Sequence, residues 1–152
     1  MMKILIFSDS HGARAVLYTA MEQHHPDAVY FLGDGARDMA AVAGDYPDIP
    51  VFAVAGNCDI CCDLPWTRLE KCGGVRVLLT HGHVQHVKQG LYTYSCTAAE
   101  LKVSVALFGH THCAFDDEVD GVRLFNPGSA ANGEYGMLIV DEKGVTLQHF
   151  VV

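Results

Sequence analysis

Short apolar runs alternate with helix-like segments along the first third of the chain. Residues 3–7, 28–32 and 51–55 are apolar runs that end at polar residues or glycine, which predicts buried strands. Between them, apolar positions recur at helical spacing over residues 13–23, and a shorter helix is predicted over 37–43. This β-α-β-α-β order is typical of parallel strands joined by crossover helices.

The remainder of the chain is richer in hairpins. We predict strands at 66–71 and 75–80, a helix at 91–101 and a strand at 103–108. The end of the chain predicts an antiparallel meander, with strands at 118–119, 122–125, 136–140 and 145–151. The pattern shows no repeat or linker, so we expect one domain over residues 1–152, with two sheets face to face and helices outside.

The charge balance excludes some classes of function. Ten Lys and Arg against eighteen Asp and Glu give a net charge of −8, which disfavours duplex nucleic acid as the main partner. No apolar run approaches the roughly 18 residues that a membrane span requires, so we expect no membrane partner. The apolar start ends at Asp9, too early for a secretory signal, and we therefore expect a cytoplasmic protein.

Six cysteines could suggest disulfide bridges or a metal site: Cys58, Cys61, Cys62, Cys72, Cys96 and Cys113. A cytosolic chain of this length favours reduced thiols. The cluster at 58–62 resembles half of a zinc knuckle, but no second cysteine pair follows. A redox role for Cys58-x-x-Cys61 is disfavoured because the motif does not open a helix after a strand.

Polar side chains with metal-binding atoms follow five of the predicted strands. Because strand ends meet at one edge of a sheet, we expect these side chains to converge. They provide two carboxylates, one amide and four imidazoles: Asp9, His11, Asp34, Asn57, His81, His110 and His112. Seven ligands are too many for one ion unless some are spectators, whereas two ions that share a carboxylate would use them all.

These residues lie in motifs that resemble those of a known family. Asp9-x-His11, Gly33-Asp34, Gly56-Asn57-x-Asp59, His81-Gly82-His83 and Gly109-His110-x-His112 follow the order of the calcineurin-like metallophosphoesterases. The short length and Asn126-Pro127-Gly128-Ser129 are most similar to the small YfcE-like phosphodiesterase subfamily. The resemblance implies an α/β fold, a four-layer α-β-β-α sandwich with two mixed sheets.

The resemblance also implies a dinuclear metal centre and a reaction. One ion would be held by Asp9, His11, Asp34 and His112, and the other by Asp34, Asn57, His81 and His110. The ligand set suits Mn²⁺, Fe, Co²⁺, Ni²⁺ or Zn²⁺, and we expect Mn²⁺. Hydroxide activated by the two ions would hydrolyse a small phosphodiester. Some proteins of this fold, such as the retromer subunit Vps29, act as binding scaffolds, and a scaffold that retains the metal site is the alternative.

One residue departs from the pattern of many phosphatases in the family. Those enzymes have His after the metal-binding Asn, at the position of a general acid, whereas this chain has Cys58. A thiol is a poor proton donor to an alkoxide and carries no positive charge. We therefore expect weak phosphomonoesterase activity and a preference for diesters with stabilised leaving groups.

Other polar residues near the motifs have two interpretations each. His83 could face the centre and support substrate or ligands, Asp59 could orient a loop or cap a turn, and Trp66 could pack or border the site. We expect Arg37 and Asp38 to lie at a solvated helix start and not to contact substrate. Gly128-Ser129 predicts a tight turn near the site. We expect ordinary roles for His24, His25, His86 and His149. The apolar C-terminus suggests self-association.

Overall fold

The computed structural model describes residues 1–60 and 62–152 of the chain. Its strands are β1 (Met2–Phe7), β2 (Ala28–Phe31), β3 (Val51–Ala53), β4 (Thr67–Cys72), β5 (Val75–Thr80), β6 (Val105–Leu107), β7 (Phe115–Val119), β8 (Val122–Asn126), β9 (Glu134–Asp141) and β10 (Gly144–Val151). Its α-helices are α1 (Arg14–His24), α2 (Ala36–Asp45) and α3 (Tyr92–Glu100), and short 3₁₀ turns cover Val87–Gln89 and Ala130–Asn132.

The strands form two mixed sheets of five strands each. The first has the order β10-β9-β1-β2-β3, and its three N-terminal strands are parallel, as the alternating pattern predicted. The second has the order β4-β5-β6-β8-β7, with β5, β6 and β8 parallel. The carboxyl ends of the parallel strands in both sheets are therefore available to build one site.

The predicted C-terminal meander is wrong. The hairpin β7–β8 belongs to the second sheet, whereas the hairpin β9–β10 belongs to the first, where β9 pairs with β1. Both hairpins are antiparallel, as the turn sequences indicated, but local pattern does not reveal which sheet a hairpin joins. Strand β7 also begins at Phe115, three residues before the predicted start, because its exposed polar residues lack an apolar alternation.

Three apolar clusters hold the layers together. Ile6 and Leu138 of the first sheet pack against Leu79 and Leu107 of the second, which forms the central core. A second cluster joins the outer face of the first sheet to α1 and α2, and a third joins the outer face of the second sheet to α3. The result is the predicted four-layer α-β-β-α sandwich. Among the described residues, no helix is long and apolar enough to cross a membrane.

Candidate metal centre

Six of the seven predicted ligand residues meet at the ends of the parallel strands. They form two groups in which one potential ligand atom from each residue lies within 4.8 Å of the others: Asp9, His11 and His112, and Asp34, His81 and His110. The loops after β1, β2, β5 and β6 supply them. Side chains more than a hundred positions apart in the sequence, such as Asp9 and His112, are thus neighbours.

The two carboxylate oxygens of Asp9 have different surroundings: Oδ2 accepts hydrogen bonds from the protein, and Oδ1 faces the histidines. Its Oδ2 accepts hydrogen bonds from Ser8 Oγ at 2.5 Å and from the backbone N–H of His110 at 3.0 Å. Its Oδ1 is buried and accepts no hydrogen bond from the described residues. That oxygen instead lies 3.2 Å from Nε2 of His112, 3.7 Å from Nε2 of His11 and 3.8 Å from Nε2 of His81. A buried anionic oxygen surrounded by imidazole nitrogens fits a bound cation.

The two carboxylate oxygens of Asp34 also differ: Oδ1 accepts a backbone hydrogen bond, and Oδ2 faces the histidines. Its Oδ1 accepts a hydrogen bond from the backbone N–H of Cys58 at 2.8 Å. Its Oδ2 lies 3.3 Å from Nε2 of His81 and 3.8 Å from Nε2 of His11, one histidine from each group. Asp34 Oδ2 therefore links the two groups, as does Asp9 Oδ1, which also lies within 4 Å of histidines from both.

Charge and burial shift the pKa values of the two histidines in the second group in opposite directions. The Nδ1 of His81 is 2.8 Å from the carbonyl oxygen of Leu32, which leaves Nε2 directed toward the carboxylates. Burial lowers the pKa of His81, but Asp34 and Asp9 outweigh this and raise it above its ordinary value. Burial and the neighbouring His81 lower the pKa of His110 to about 4, so that His110 is neutral and free to ligate near neutral pH.

The backbone is strained at the candidate ligands. All six potential ligands except His81 have positive φ, between 43° for His11 and 70° for His110, although none is glycine. This left-handed conformation costs about 1 to 2 kcal/mol for a residue with a Cβ. Strain concentrated at five clustered polar residues indicates a site whose geometry is selected for function.

Close approach of loops holds the carboxylates in place. A Cβ at Gly56 would collide with Oδ1 of Asp34, and a Cβ at Gly109 would collide with the hydroxyl of Ser8. The buried Ser129 donates its hydroxyl hydrogen bond to the carbonyl oxygen of Asp9 at 2.8 Å. The turn predicted at Gly128-Ser129 thus supports the Asp9 loop, and Gly128 has a φ of 85°.

Asp59 joins two of the ligand-bearing loops. Its Oδ2 accepts hydrogen bonds from the backbone N–H groups of Asp34 at 2.7 Å and Gly56 at 2.8 Å. Its Oδ1 accepts those of Gly35 at 2.9 Å and Ala36 at 3.0 Å, and so also satisfies the first N–H groups of α2. The structure supports both interpretations, because Asp59 orients the neighbouring Asp34 loop and also closes a turn with Gly56 in its own loop.

Asn57 and Cys58 lie at the exposed rim of the centre. Asn57 Nδ2 is 3.6 Å from Cys58 Sγ, and the backbone N–H of the adjacent Cys58 donates to Asp34 of the second group. Burial and then the charges of Asp34, Asp59 and Asp9 raise the pKa of the Cys58 thiol. Metal ligation by Asn57 and a proton-donor position at residue 58 remain predictions.

A cavity of about 630 Å³ opens beside the first group. His11 and Asp34 line it together with Arg14, Arg37 and Ile60. Arg37 is exposed, whereas the predicted solvated helix start is wrong for Asp38, which is buried. Asp38 accepts hydrogen bonds from Ser10 Oγ at 2.6 Å, from the Gly12 N–H at 2.8 Å and from Arg14 Nε at 3.0 Å, and the pattern gave no sign of this network.

The remaining histidines have ordinary surroundings. His24 contacts the hydroxyl of Tyr135 at 2.9 Å, and His149 stacks on Phe125 with ring centroids 4.4 Å apart. His25 and His86 are exposed. Among the described cysteines, none is in a disulfide or joins a metal-binding group, whereas Cys61, on which the redox alternative depends, lies outside the described residues.

Comparisons with known proteins assign the family. The profile of the calcineurin-like phosphoesterase superfamily domain matches residues 2–144. The chain is 30% identical to the probable metallophosphoesterase YsnB of Bacillus subtilis, over 98% of this chain and 90% of that protein. A Streptococcus pneumoniae protein described as a predicted phosphoesterase has the same fold, with a TM-score of 0.84, 21% identity, and coverage of 99% of this chain and 89% of that one.

A further neighbour shares the fold alone. Vps29 of Entamoeba histolytica in complex with Zn²⁺ has a TM-score of 0.80, 20% identity, and coverage of 99% of both chains. The fold is therefore common to proteins described as phosphoesterases and to Vps29. With a domain profile that spans nearly the whole chain and a curated relative of similar length, this chain belongs to the calcineurin-like phosphoesterase superfamily.

Proposed function

We propose that this protein is a phosphodiesterase that uses two divalent metal ions to hydrolyse a small phosphodiester. The observation that carries the proposal is the oxygen Oδ2 of Asp34, which lies within 4 Å of a histidine from each ligand group. Oδ1 of Asp9, which accepts no hydrogen bond from residues 1–60 or 62–152, supplies a second anionic position among the same imidazoles. The oxygen and nitrogen donors suit Mn²⁺, Fe, Co²⁺, Ni²⁺ or Zn²⁺.

In this proposal the ligands divide between two ions. Asp9, His11 and His112 would hold one, His81 and His110 would hold the other with Asn57, and Asp34 would contact both. Two bound cations would neutralise phosphate charge and lower the pKa of water, so that hydroxide is available near neutral pH. The protein's contribution is positioning, because phosphoryl transfer needs little covalent chemistry from side chains.

The residues at the rim favour diesters over monoesters. Asn57 is exposed and can offer its amide N–H to a phosphate oxygen while its carbonyl oxygen faces a cation. Cys58 offers neither a positive charge for a dianionic monoester nor an efficient proton for an alkoxide leaving group. A diester with a stabilised leaving group requires neither.

The test is hydrolysis of bis(p-nitrophenyl) phosphate by protein loaded with Mn²⁺. We expect His112→Ala and Asn57→Ala to reduce kcat/KM by about 100-fold or more, because even residues behind metal ligands are worth 10- to 100-fold. His25→Ala is a matched control: His25 and His112 are both exposed and both left-handed, with φ of 47° and 62°, so the backbone cost of alanine is shared. Metal binding without hydrolysis would contradict the proposal and favour the scaffold.

A further inference from the structure

Two aromatic rings, those of His83 and Trp66, lie next to the second ligand group of the metal centre. The ring centroid of His83 is 5.5 Å from that of His81 and 6.2 Å from that of His110. Trp66 packs against His83 with centroids 5.4 Å apart and an interplanar angle of 72°. Because 59% of Trp66 is exposed, its ring presents an open aromatic surface that is separated from the ligand imidazoles only by His83.

The backbone on which Trp66 stands is fixed by the neighbouring strands. The N–H of Ala55, just after β3, donates a hydrogen bond to the carbonyl oxygen of Pro65 at 2.8 Å. The hydroxyl of Thr80, the last residue of β5, donates one to the carbonyl oxygen of Trp66 at 3.2 Å. An exposed aromatic side chain on a held backbone loses little conformational entropy when a ligand covers it.

Packing rather than hydrogen bonding holds His83. Its Nδ1 is buried and has no hydrogen-bond partner within the described part of the chain. The ring instead lies among Trp66, His81 and His110. The Trp66 surface and the second ligand group are therefore coupled through one imidazole, and a molecule that reaches both would cover His83.

We propose that Trp66 and His83 bind an aromatic ester group of the phosphodiester, such as a nucleobase or an aryl ring, while its phosphate occupies the metal centre. This rests on the proposed function and names the class of substrate. A diester carries two ester groups, and the cavity beside His11, with Arg14 and Arg37, offers room for the other. Stacking accepts any base or aryl ring. The net charge of −8 favours a small nucleotide-like molecule over a long nucleic acid.

Trp66 provides its own spectroscopic test, because it is the only tryptophan in the chain. Adenosine 5′-monophosphate and ribose 5-phosphate carry the same sugar and phosphate, but only the first has a base. With Zn²⁺-loaded protein, we expect saturable quenching of tryptophan fluorescence by adenosine 5′-monophosphate and none by ribose 5-phosphate. Equal responses to the two compounds would overturn the proposal.

Substitution measures the contribution of the ring. By titration calorimetry, Trp66→Ala should weaken binding of adenosine 5′-monophosphate by about 5- to 150-fold, the range for one stacked base, and leave ribose 5-phosphate within about twofold. Trp66→Phe should recover most of the loss. Tyr92→Ala is the control, since Tyr92 is 80% exposed at the start of α3. Unchanged nucleotide affinity in Trp66→Ala would refute the stacking surface.

Two further readouts separate this inference from the proposed function. Trp66→Ala should raise KM for bis(p-nitrophenyl) phosphate about 5-fold or more and change kcat little. The inhibition constant of diethyl phosphate, a competing diester without an aromatic ring, should be the same in wild type and Trp66→Ala. Hydrolysis with identical KM in wild type and variant would overturn the stacking surface and leave the phosphodiesterase intact. A change of sedimentation coefficient in Trp66→Ala, with no quenching in wild type, would assign Trp66 to a protein interface and overturn the inference.

Discussion

Substituting Asp59 by asparagine would break two of the four backbone hydrogen bonds that the Asp59 carboxylate accepts from the Asp34 loop and from its own loop. Each carboxylate oxygen of Asp59 accepts two backbone N–H groups, at distances between 2.7 and 3.0 Å. An asparagine keeps one oxygen as an acceptor and turns an NH₂ group toward the other two donors. Two charge-assisted bonds are lost, and two N–H groups face another donor.

The expected magnitude follows from the loss of those bonds. A hydrogen bond to a charged group contributes about 1.5 to 3 kcal/mol, so two would give about 3 to 6 kcal/mol. Asp59 is partly exposed, and water can replace some of the lost partners. We therefore expect Asp59→Asn to lower the free energy of unfolding by about 2 to 4 kcal/mol, a large fraction of the stability of a typical domain.

Urea unfolding of metal-free protein, followed by far-ultraviolet circular dichroism, measures this change without interference from metal binding. Asp116→Asn is a matched control, because Asp116 pairs with Arg123 at 2.9 Å on the exposed edge of the second sheet. Surface pairs contribute about 0 to 1 kcal/mol, so this variant should stay close to wild type. An Asp59→Asn variant within 0.5 kcal/mol of wild type would refute the reasoning.

Three further predictions concern metal, pH and substrate. Chelation with EDTA should lower the Tm of metal-loaded protein by about 5 to 10 °C when the metal is at 100 times its Kd, whereas Asp9→Asn should respond much less; equal responses would contradict the ligand role of Asp9. Burial raises the pKa of Asp38, but hydrogen bonds from Ser10, Arg14 and Gly12 outweigh this effect and hold the pKa below its ordinary value. The ionised Asp38 carboxylate therefore stabilises the folded protein above about pH 4, and this contribution is lost as the pH falls through the pKa of the folded state. The difference in unfolding free energy between wild type and Asp38→Asn should accordingly narrow in urea titrations below pH 4, and a constant difference from pH 7 to pH 3 would refute this. Cys58→His should raise the ratio of monoesterase to diesterase kcat/KM about tenfold or more in p-nitrophenyl ester assays, because it supplies a proton donor, and an unchanged ratio would remove the argument from Cys58.

Much of the fold follows from pattern and turn chemistry. The apolar runs before Asp9, Asp34 and His81 are buried strands, and the helical spacing after Gly12 predicts α1 to within a residue. The early polar start of β7 was missed because an exposed edge strand has no apolar face to detect. The assignment of the final hairpins to different sheets depends on packing against distant strands, which no local window contains.

The candidate site is predictable in membership more than in geometry. Six side chains that follow strand ends do meet, because parallel strands deliver their carboxyl ends to one edge. Which oxygen of each carboxylate accepts hydrogen bonds and which faces the histidines was not predictable, since the donors to Asp9 Oδ2 come from residues 8 and 110. Positive φ at His11, Asp34 and His112 was also hidden, because Asp and His adopt left-handed backbone more often than most residues but still only at a minority of positions.

The most direct test of a two-metal phosphodiesterase is a titration of activity against metal. Metal-free protein would receive Mn²⁺ in steps from zero to three equivalents, and the initial rate of bis(p-nitrophenyl) phosphate hydrolysis would be measured at each step. Because Asp34 faces a histidine of each ligand group, we expect most activity to appear with the second equivalent and then to reach a plateau. Full activity at one equivalent, or none at three, would contradict the account.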